Sequence, residues 1–429
     1  MNLRFITPAI FALSTFLPIH VANATQWTLQ SSITQAMLSS PEIKKSAAEI
    51  GARSADVQLS SIWPDPSIEF KIDNNIGQDD GSGDYGLSEI TISQDIPLSR
   101  IKHQKLVAEA NLSAAMYSQS NATLQLQNRV ARVFYELQLA SATYELARKR
   151  VKLADKLNAS ALKNNQGTVI RYLTPLEKMR LSIIREQAHQ AESAAEGNLQ
   201  EVLTEFFTIV GIDTNSKVSV SDLLPLSSLP ELDALIESQK KHPLLSSQQQ
   251  QLMAASNGVE LARSSSMKDP SVSINKLRDN FSSGTEDVYG IMLNIEIPVH
   301  NRKSTAVSKA TYAASQQRIE LARLKRELQL KLKQSFTHLE HIIEQASEFD
   351  KKVLTPASKI LQLSEKGFIS GELNILSLVE ANNTYFESQT NYLDLIYQAW
   401  TEYADIHLYA GQPLVEANLS ASTFHKGAQ

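Results

Sequence analysis

His338 and His341 stand one turn apart, and Glu344 follows at the next turn. On a helix this places two imidazoles and a carboxylate on one face, an arrangement that can ligate a divalent metal. A solvated coiled-coil flank accounts for the same residues, since His and Glu are ordinary there, and no metal site is assigned to them. The run from Asn74-Asn75 to Asp79-Asp80-Gly81-Ser82-Gly83-Asp84 has the composition of a calcium loop. It lacks the EF-hand ligand spacing and the terminal Glu, so it reads as a solvated loop. No Walker loop, G-x-S-x-G or H-E-x-x-H motif occurs. Without cysteine there are no disulfides, thiolate metal sites, Cys nucleophiles or lipid on an N-terminal Cys. No catalytic residue or cofactor is expected, and the chain is not read as an enzyme.

The elements that would position any site are long. Of 429 residues, 42% are apolar and 20% charged, which suits an ordered chain. Only 15 Gly and 14 Pro punctuate it. The net charge of −5 leaves no basic surplus to neutralise phosphates, so nucleic acid is excluded as a bulk partner. Arg4, the apolar stretch Phe5–Leu17 and Ala22-Asn23-Ala24 fit a cleaved signal peptide over 1–24, with Thr25 as the mature N-terminus. No later apolar run is long enough for a helical span. This pattern points to the bacterial periplasm or outer membrane.

The mature chain is written twice. Ser40-Pro41-Glu42 matches Lys241-His242-Pro243, and Asp65-Pro66-Ser67 matches Asp269-Pro270-Ser271. Tyr85-Gly86-Leu87 matches Tyr289-Gly290-Ile291, and Gln94 to Arg100 matches Ile295 to Arg302 with one insertion. Ile209-Val210-Gly211 matches Tyr409-Ala410-Gly411. Matches in one order at a period near 200 residues indicate a duplicated domain, since solenoid repeats are far shorter. The repeats are 25–228 and 229–411, followed by a tail over 412–429.

Each repeat reads helix, hairpin, very long helix, turn, helix. The first helices are expected over about Leu29–Ile62 and Leu232–Ser266. Strands over about 67–75, 86–97, 271–279 and 287–298 alternate with period two. Ile68, Phe70 and Ile72 oppose Glu69, Lys71 and Asp73; Ile291, Leu293, Ile295 and Ile297 oppose Met292, Asn294 and Glu296. Tyr85 to Pro97 is three residues longer than Tyr289 to Pro298, which leaves the first hairpin's register open. The period then changes. Leu126, Val130, Val133, Leu137, Ala140, Tyr144, Ala147, Val151 and Ala154 form a heptad seam. Leu321 to Val353 steps similarly. Helices over about 100–163 and 302–366 follow, each ~90 Å long.

Four amphipathic strands of roughly ten residues match a membrane strand, but an open edge is not tolerated in lipid. Four strands do not close, and eight leave an interior filled by side chains. A conduit therefore needs more than two chains, and three would supply twelve strands. Trp63, Phe70, Tyr85, Phe281 and Tyr289 lie near strand ends, where interfacial aromatics sit.

This organisation resembles the TolC-type outer-membrane efflux channels, and within them the heavy-metal, CzcC-like branch. The resemblance covers nearly the whole mature chain. Its most specific piece is Gly371-Glu372-Leu373-Asn374-Ile375-Leu376-Ser377-Leu378-Val379-Glu380-Ala381, similar to the family's turn-to-helix motif. Ile297-Pro298-Val299-His300-Asn301-Arg302 resembles the strand exit of the metal branch. The resemblance implies a mainly α chain with a membrane β-barrel: a homotrimeric twelve-stranded barrel in outer-membrane lipid, continued by a periplasmic α-helical tunnel. A collar is implied around it, built from about Ile212–Pro230 and the C-terminal tail. Gly167 and Gly371 would be tip turns docking the periplasmic adaptor of a tripartite system, whose energised pump lies in the inner membrane. Phe368 belongs to the same tip. Glu380 would ring the constriction with Ser377 one turn before it, where the family often has a second acid. The Tyr and Arg of the TolC lock fall on Phe368 and Leu373, so that polar lock has no counterpart. Drugs or a secreted polypeptide are alternative cargoes, and a periplasmic coiled-coil scaffold without a pore is an alternative of another class.

Overall fold

The computed structural model describes residues 25–73, 87–98, 100–162, 174–265, 268–281, 284–297 and 302–415. The expected signal peptide, the acidic loop of the first hairpin, Gly167 and the tail beyond 415 lie outside the described residues.

The first repeat runs β1 (Thr25–Trp27), α1 (Leu29–Ser39), α2 (Pro41–Leu59), β2 (Ser67–Asp73), β3 (Leu87–Asp95), α3 (Arg100–Leu162) and α4 (Pro175–Val210). After β4 (Val218–Val220), the second runs α5 (Leu232–Gln239), α6 (Pro243–Ser264), β5 (Ser271–Phe281), β6 (Gly284–Asn294), α7 (Arg302–Phe349), α8 (Thr355–Ser370) and α9 (Ile375–Ala410). Helix α3 has 63 residues and spans ~95 Å.

Each opening helix is two helices where the sequence suggested one. The Ser40 side chain caps α2 at the Ile43 N–H, and Pro41 at the first helical position has no N–H to continue α1. In the second repeat His242 caps α6, through Nδ1 accepting from the Leu244 N–H at 3.0 Å, and Pro243 follows. The structure thus matches Ser40-Pro41 with His242-Pro243, one residue on from the sequence alignment.

The expected single helix over about 302–366 is also interrupted. It comprises α7, a π turn over Asp350–Leu354, and α8 to Ser370. Pro356 lacks the N–H that would reach back four residues, and a widened turn just before it absorbs the missing bond. Val353, expected in the buried seam, is exposed in this turn. The α3 seam is buried from Leu126 to Ala154 apart from Tyr144, which is half-buried. Helices α4 and α9 each have 36 residues and end on Gly211 and Gly411, both at φ 72°. Offset by 200 positions, they are copies without a gap.

Along the tunnel-like body, α4 lies beside α3, α3 beside α9, and α9 beside α7 and α8. Toward the strands, α2, α3, α6 and α7 lie side by side. Mid-body, Phe134 and Leu137 of α3 pack with Val202, Phe206 and Val210 of α4 and Ala404 of α9. Asp405 is buried there and accepts from Asn128 Nδ2 at 2.8 Å and from the Arg132 guanidinium, tying α9 to α3. β1 pairs in parallel with β4, Trp400 Nε1 donates to the Leu224 carbonyl at 2.8 Å, and Gln127 Oε1 accepts from the Leu414 N–H at 2.9 Å. Strand β1 was not foreseen from the sequence; three residues carry too little pattern.

The four long strands form one antiparallel sheet in the order β2-β3-β5-β6. Its rows alternate as the sequence alternates. One row is Ile68, Ile92, Ile274 and Ile291; the next on the opposite face holds Glu69, Thr91, Asn275 and Gly290. The register left open in the first hairpin is Ser67 opposite Ser93, so its three extra residues lie toward the loop. Among the described residues no helix is long and apolar enough to cross a membrane.

Candidate functional site: the tip turn and the α9 stripe

Helix α8 stops at Gly371, whose φ of 82° is left-handed. There a side chain costs energy and glycine does not. The Gly367 carbonyl accepts from the Glu372 and Leu373 N–H groups at 2.9 and 3.0 Å, closing the turn. Asn374 then caps α9, its Oδ1 accepting from the Ser377 N–H at 3.0 Å and from the Ser377 hydroxyl at 3.2 Å. The expected site residues Gly371, Ser377 and Glu380 are therefore brought together within one turn and the first two coils of α9.

Phe368 is a correction. It is buried against Leu157, Leu181, Leu361, Ile375, Leu378 and Ala381, so it holds the turn from within and presents no docking surface. Exposed apolar groups near these turns include Leu176 and Met179 of α4, Ile369 of α8 and Leu376 of α9. Gly367 was missed. Leu373 folds over it so closely that a Cβ there would meet the leucine Cδ1 at 2.8 Å. Its spacing of four from Gly371 was the available signal.

The first repeat's tip ends in a capping box. Thr174 Oγ1 accepts from the Glu177 N–H at 3.3 Å, and Glu177 Oε2 accepts from the Thr174 N–H at 2.8 Å. With α4 and α9 aligned end to end, Glu177 stands where Ser377 stands, and Arg180 where Glu380 stands. The acid absent from position 377 is thus present in the other repeat, spent on a cap.

Glu380 is exposed and starts a stripe. Glu387 and Asp394 follow at heptad intervals, which keeps all three on one face of α9. Sequence reading placed a single acid there, because the family motif ends at Ala381. Burial raises the Asp394 pKa above the usual aspartate value. Glu387 also lines a cleft of about 440 Å³ between α3, α4 and α9, with Thr143, Gln187 and Asn383. Arg150 of α3 enters it and donates through Nη2 to Asn383 Oδ1 at 2.8 Å. Its Nε has no partner among the described residues, and desolvation lowers its pKa. This is a second polar tie between α3 and α9, in addition to that of Asp405 with Asn128 and Arg132.

The His338–His341–Glu344 face does not assemble a site. His338 Nδ1 meets Glu402 Oε1 of α9 at 2.8 Å, an α7–α9 tie. Among the described residues no group of three or more His, Asp or Glu could hold a metal ion.

No family model matches the chain. The cobalt-zinc-cadmium resistance protein CzcC of Cupriavidus metallidurans is 21% identical over 385 residues, 87% of each chain. Among solved structures, CusC superposes with a TM-score of 0.71 at 16% identity, over 94% of this chain and 99% of CusC. The open-state MtrE outer-membrane channel of Neisseria gonorrhoeae gives 0.73 at 13% identity, over 90% and 89%. The chain has the fold of the TolC-type outer-membrane channels. The solved structures it matches are trimeric channels with a helical tunnel and a β-barrel. The turn at Gly371 and the α9 stripe belong to α8 and α9, outside the sheet.

Proposed function

We propose that the chain is the passive outer-membrane exit duct of a tripartite efflux system, and that it exports heavy-metal cations. It acts as a homotrimer that meets a periplasmic adaptor at the turns around Gly371 and Gly167, and through it an inner-membrane pump. The observation that carries the duct reading is the sheet. Ile68, Phe70, Ile72, Ile92, Ile274, Ile291 and Leu293 are exposed on one face of it, while the other face is bonded Ser93 to Ser273 and Asn275 to Glu89. An apolar face of that extent needs a cover, and lipid outside with water inside satisfies both faces. A soluble scaffold leaves it unexplained. A channel of this kind does no chemistry, so it is not an enzyme.

Two features support metal cations as cargo. The likeness to CzcC runs almost end to end, and the α9 stripe repeats a carboxylate every seven residues, which favours cations once three copies face a common axis. The test is deletion in the native cells. Tolerance to zinc, cadmium and cobalt should fall and return on complementation, with the protein in detergent-extracted outer membrane. Full metal tolerance in the deletion strain would overturn the cargo, and extraction into plain buffer would overturn the duct.

A further inference from the structure

Strands β2 and β6 are the two outer strands of the sheet, each paired on one side only among the described residues. Such edges carry unpaired N–H and C=O groups that lipid does not tolerate. We infer that β6 of one protomer pairs with β2 of the next copy in one defined register: Glu296 opposite Ser67, Ile295 opposite Ile68, Asn294 opposite Glu69, Leu293 opposite Phe70 and Ile291 opposite Ile72. The inference rests on the trimeric reading and adds to it the partner residues of the seam.

The duplication supplies the register. In the first hairpin Ser67 lies opposite Ser93; in the second Ser271 lies opposite Asn294. Hence Ser67 answers to Ser271 and Ser93 to Asn294. The junction between repeats inside the chain is β3 on β5, with Asp95 opposite Ser271 and Ser93 opposite Ser273. It is fastened below the sheet by the Ile96 N–H donating to the Pro270 carbonyl at 2.8 Å and by Arg100 Nη2 on Asp269 Oδ2 at 2.7 Å. The junction between copies is the same joint with the repeats exchanged, so β6 takes the place of β3 and β2 that of β5.

Three observations not used in deriving this register agree with it. The first is face chemistry. Every outward pair is apolar on apolar, Ile295 on Ile68, Leu293 on Phe70 and Ile291 on Ile72, whereas a one-residue slip would mix the faces. On the inward face Asn294 meets Glu69, an amide donor on a carboxylate, where the internal joint has Ser93 and Ser273 hydroxyls 2.7 Å apart. The second is closure. The row Ile68–Ile92–Ile274–Ile291 leads on to Ile72 of the next copy, a stagger of four residues per protomer. That stagger gives a strand tilt of ~35°, within the range of closed barrels. The third lies in the helices. Inside the chain α3 packs on α6 and buries Ala110. Its counterpart Tyr312 on α7 is 73% exposed in the single protomer, as expected if α2 of the next copy covers it.

The chain has no cysteine, so engineered pairs report cleanly. Asn294→Cys with Glu69→Cys, and Ile295→Cys with Ile68→Cys, cover the near and the wide kind of antiparallel pair, of which the near one suits a disulfide. Oxidation in isolated outer membranes should shift at least one pair to covalent dimer and trimer bands on a non-reducing gel. The out-of-register pair Met292→Cys with Glu69→Cys should stay mostly monomeric. Cross-linking by the control pair alone would overturn the register, while amine-reactive cross-linking of the wild type would still show a trimer. Absence of that wild-type trimer would overturn the trimeric reading itself, and the seam with it.

Discussion

At the residue scale, the tip turn depends on backbone more than on side-chain chemistry. Gly371 at φ 82° is where a β-branched residue is most strained, at a cost of ~1–2 kcal/mol. Gly371→Val should therefore distort the turn, leave the trimer inserted because the core around Phe368 is intact, and abolish efflux. Full resistance in cells carrying that variant would remove the turn from adaptor docking. Gly371 was legible because glycine between two helical patterns signals a left-handed stop. Gly367 was not, because its reason is Leu373 closing over it, a contact between residues six apart in a non-repeating turn. Phe368, expected among the docking residues of the tip, is buried for a related reason. Its partners Leu157 and Leu181 come from the other repeat, and no local pattern announces them.

At the element scale, periodicity carried the long helices and the faces of the strands, since both are set by side chains burying on one side. What it missed were discontinuities. The break at Ser40-Pro41 is a cap, and the π turn before Pro356 is a missing donor; neither disturbs the apolar spacing around it. The corresponding cap in the second repeat makes α6 sensitive to acid. His242 accepts at Nδ1 from Leu244, and its Nε2 meets the Leu408 carbonyl at 2.9 Å, which together require the neutral ring. Burial holds its pKa below the usual value. A base with a lowered folded pKa contributes fully above its unfolded value of about 6.5, and that contribution is lost as pH falls through the folded value. His242→Asn keeps a capping acceptor and removes the titration, so thermal midpoints at pH 7.5 and pH 5 should differ less than in wild type. Some acid sensitivity should remain, because the buried His407 imidazole is shifted in the same direction. An unchanged pH slope would show that the cap is not coupled to unfolding. In the sheet, Leu293→Arg places a charge on the outward face and should cost ~2–4 kcal/mol if it lies near mid-bilayer. Asn294→Arg, on the inward face, should be much milder. Equal losses of trimer yield would show that the two faces are not lipid and water.

At the scale of the whole molecule, the duplication was legible from five short matches, and counting strands is what leads to the proposal of several copies. The α9 stripe was only one-third legible, because a motif names Glu380 while a helix face also collects Glu387 and Asp394. In the proposed trimer, with the stripe toward the axis, each carboxylate becomes three around one passage, and a ring of like charges favours cations. In planar bilayers the wild-type pore should favour cations at neutral pH. Acidification should weaken the preference. Asp394, whose pKa burial raises, should lose its charge above the usual aspartate range. Glu380→Gln alone should weaken the selectivity without erasing it, since two further rings remain. Combined with Glu387→Gln and Asp394→Asn it should bring the cation-to-anion permeability ratio close to that of a neutral pore, with the trimer intact. If reversal potentials in the triple variant match the wild type at every pH, the stripe faces away from the passage, and the tunnel takes its selectivity from another helix.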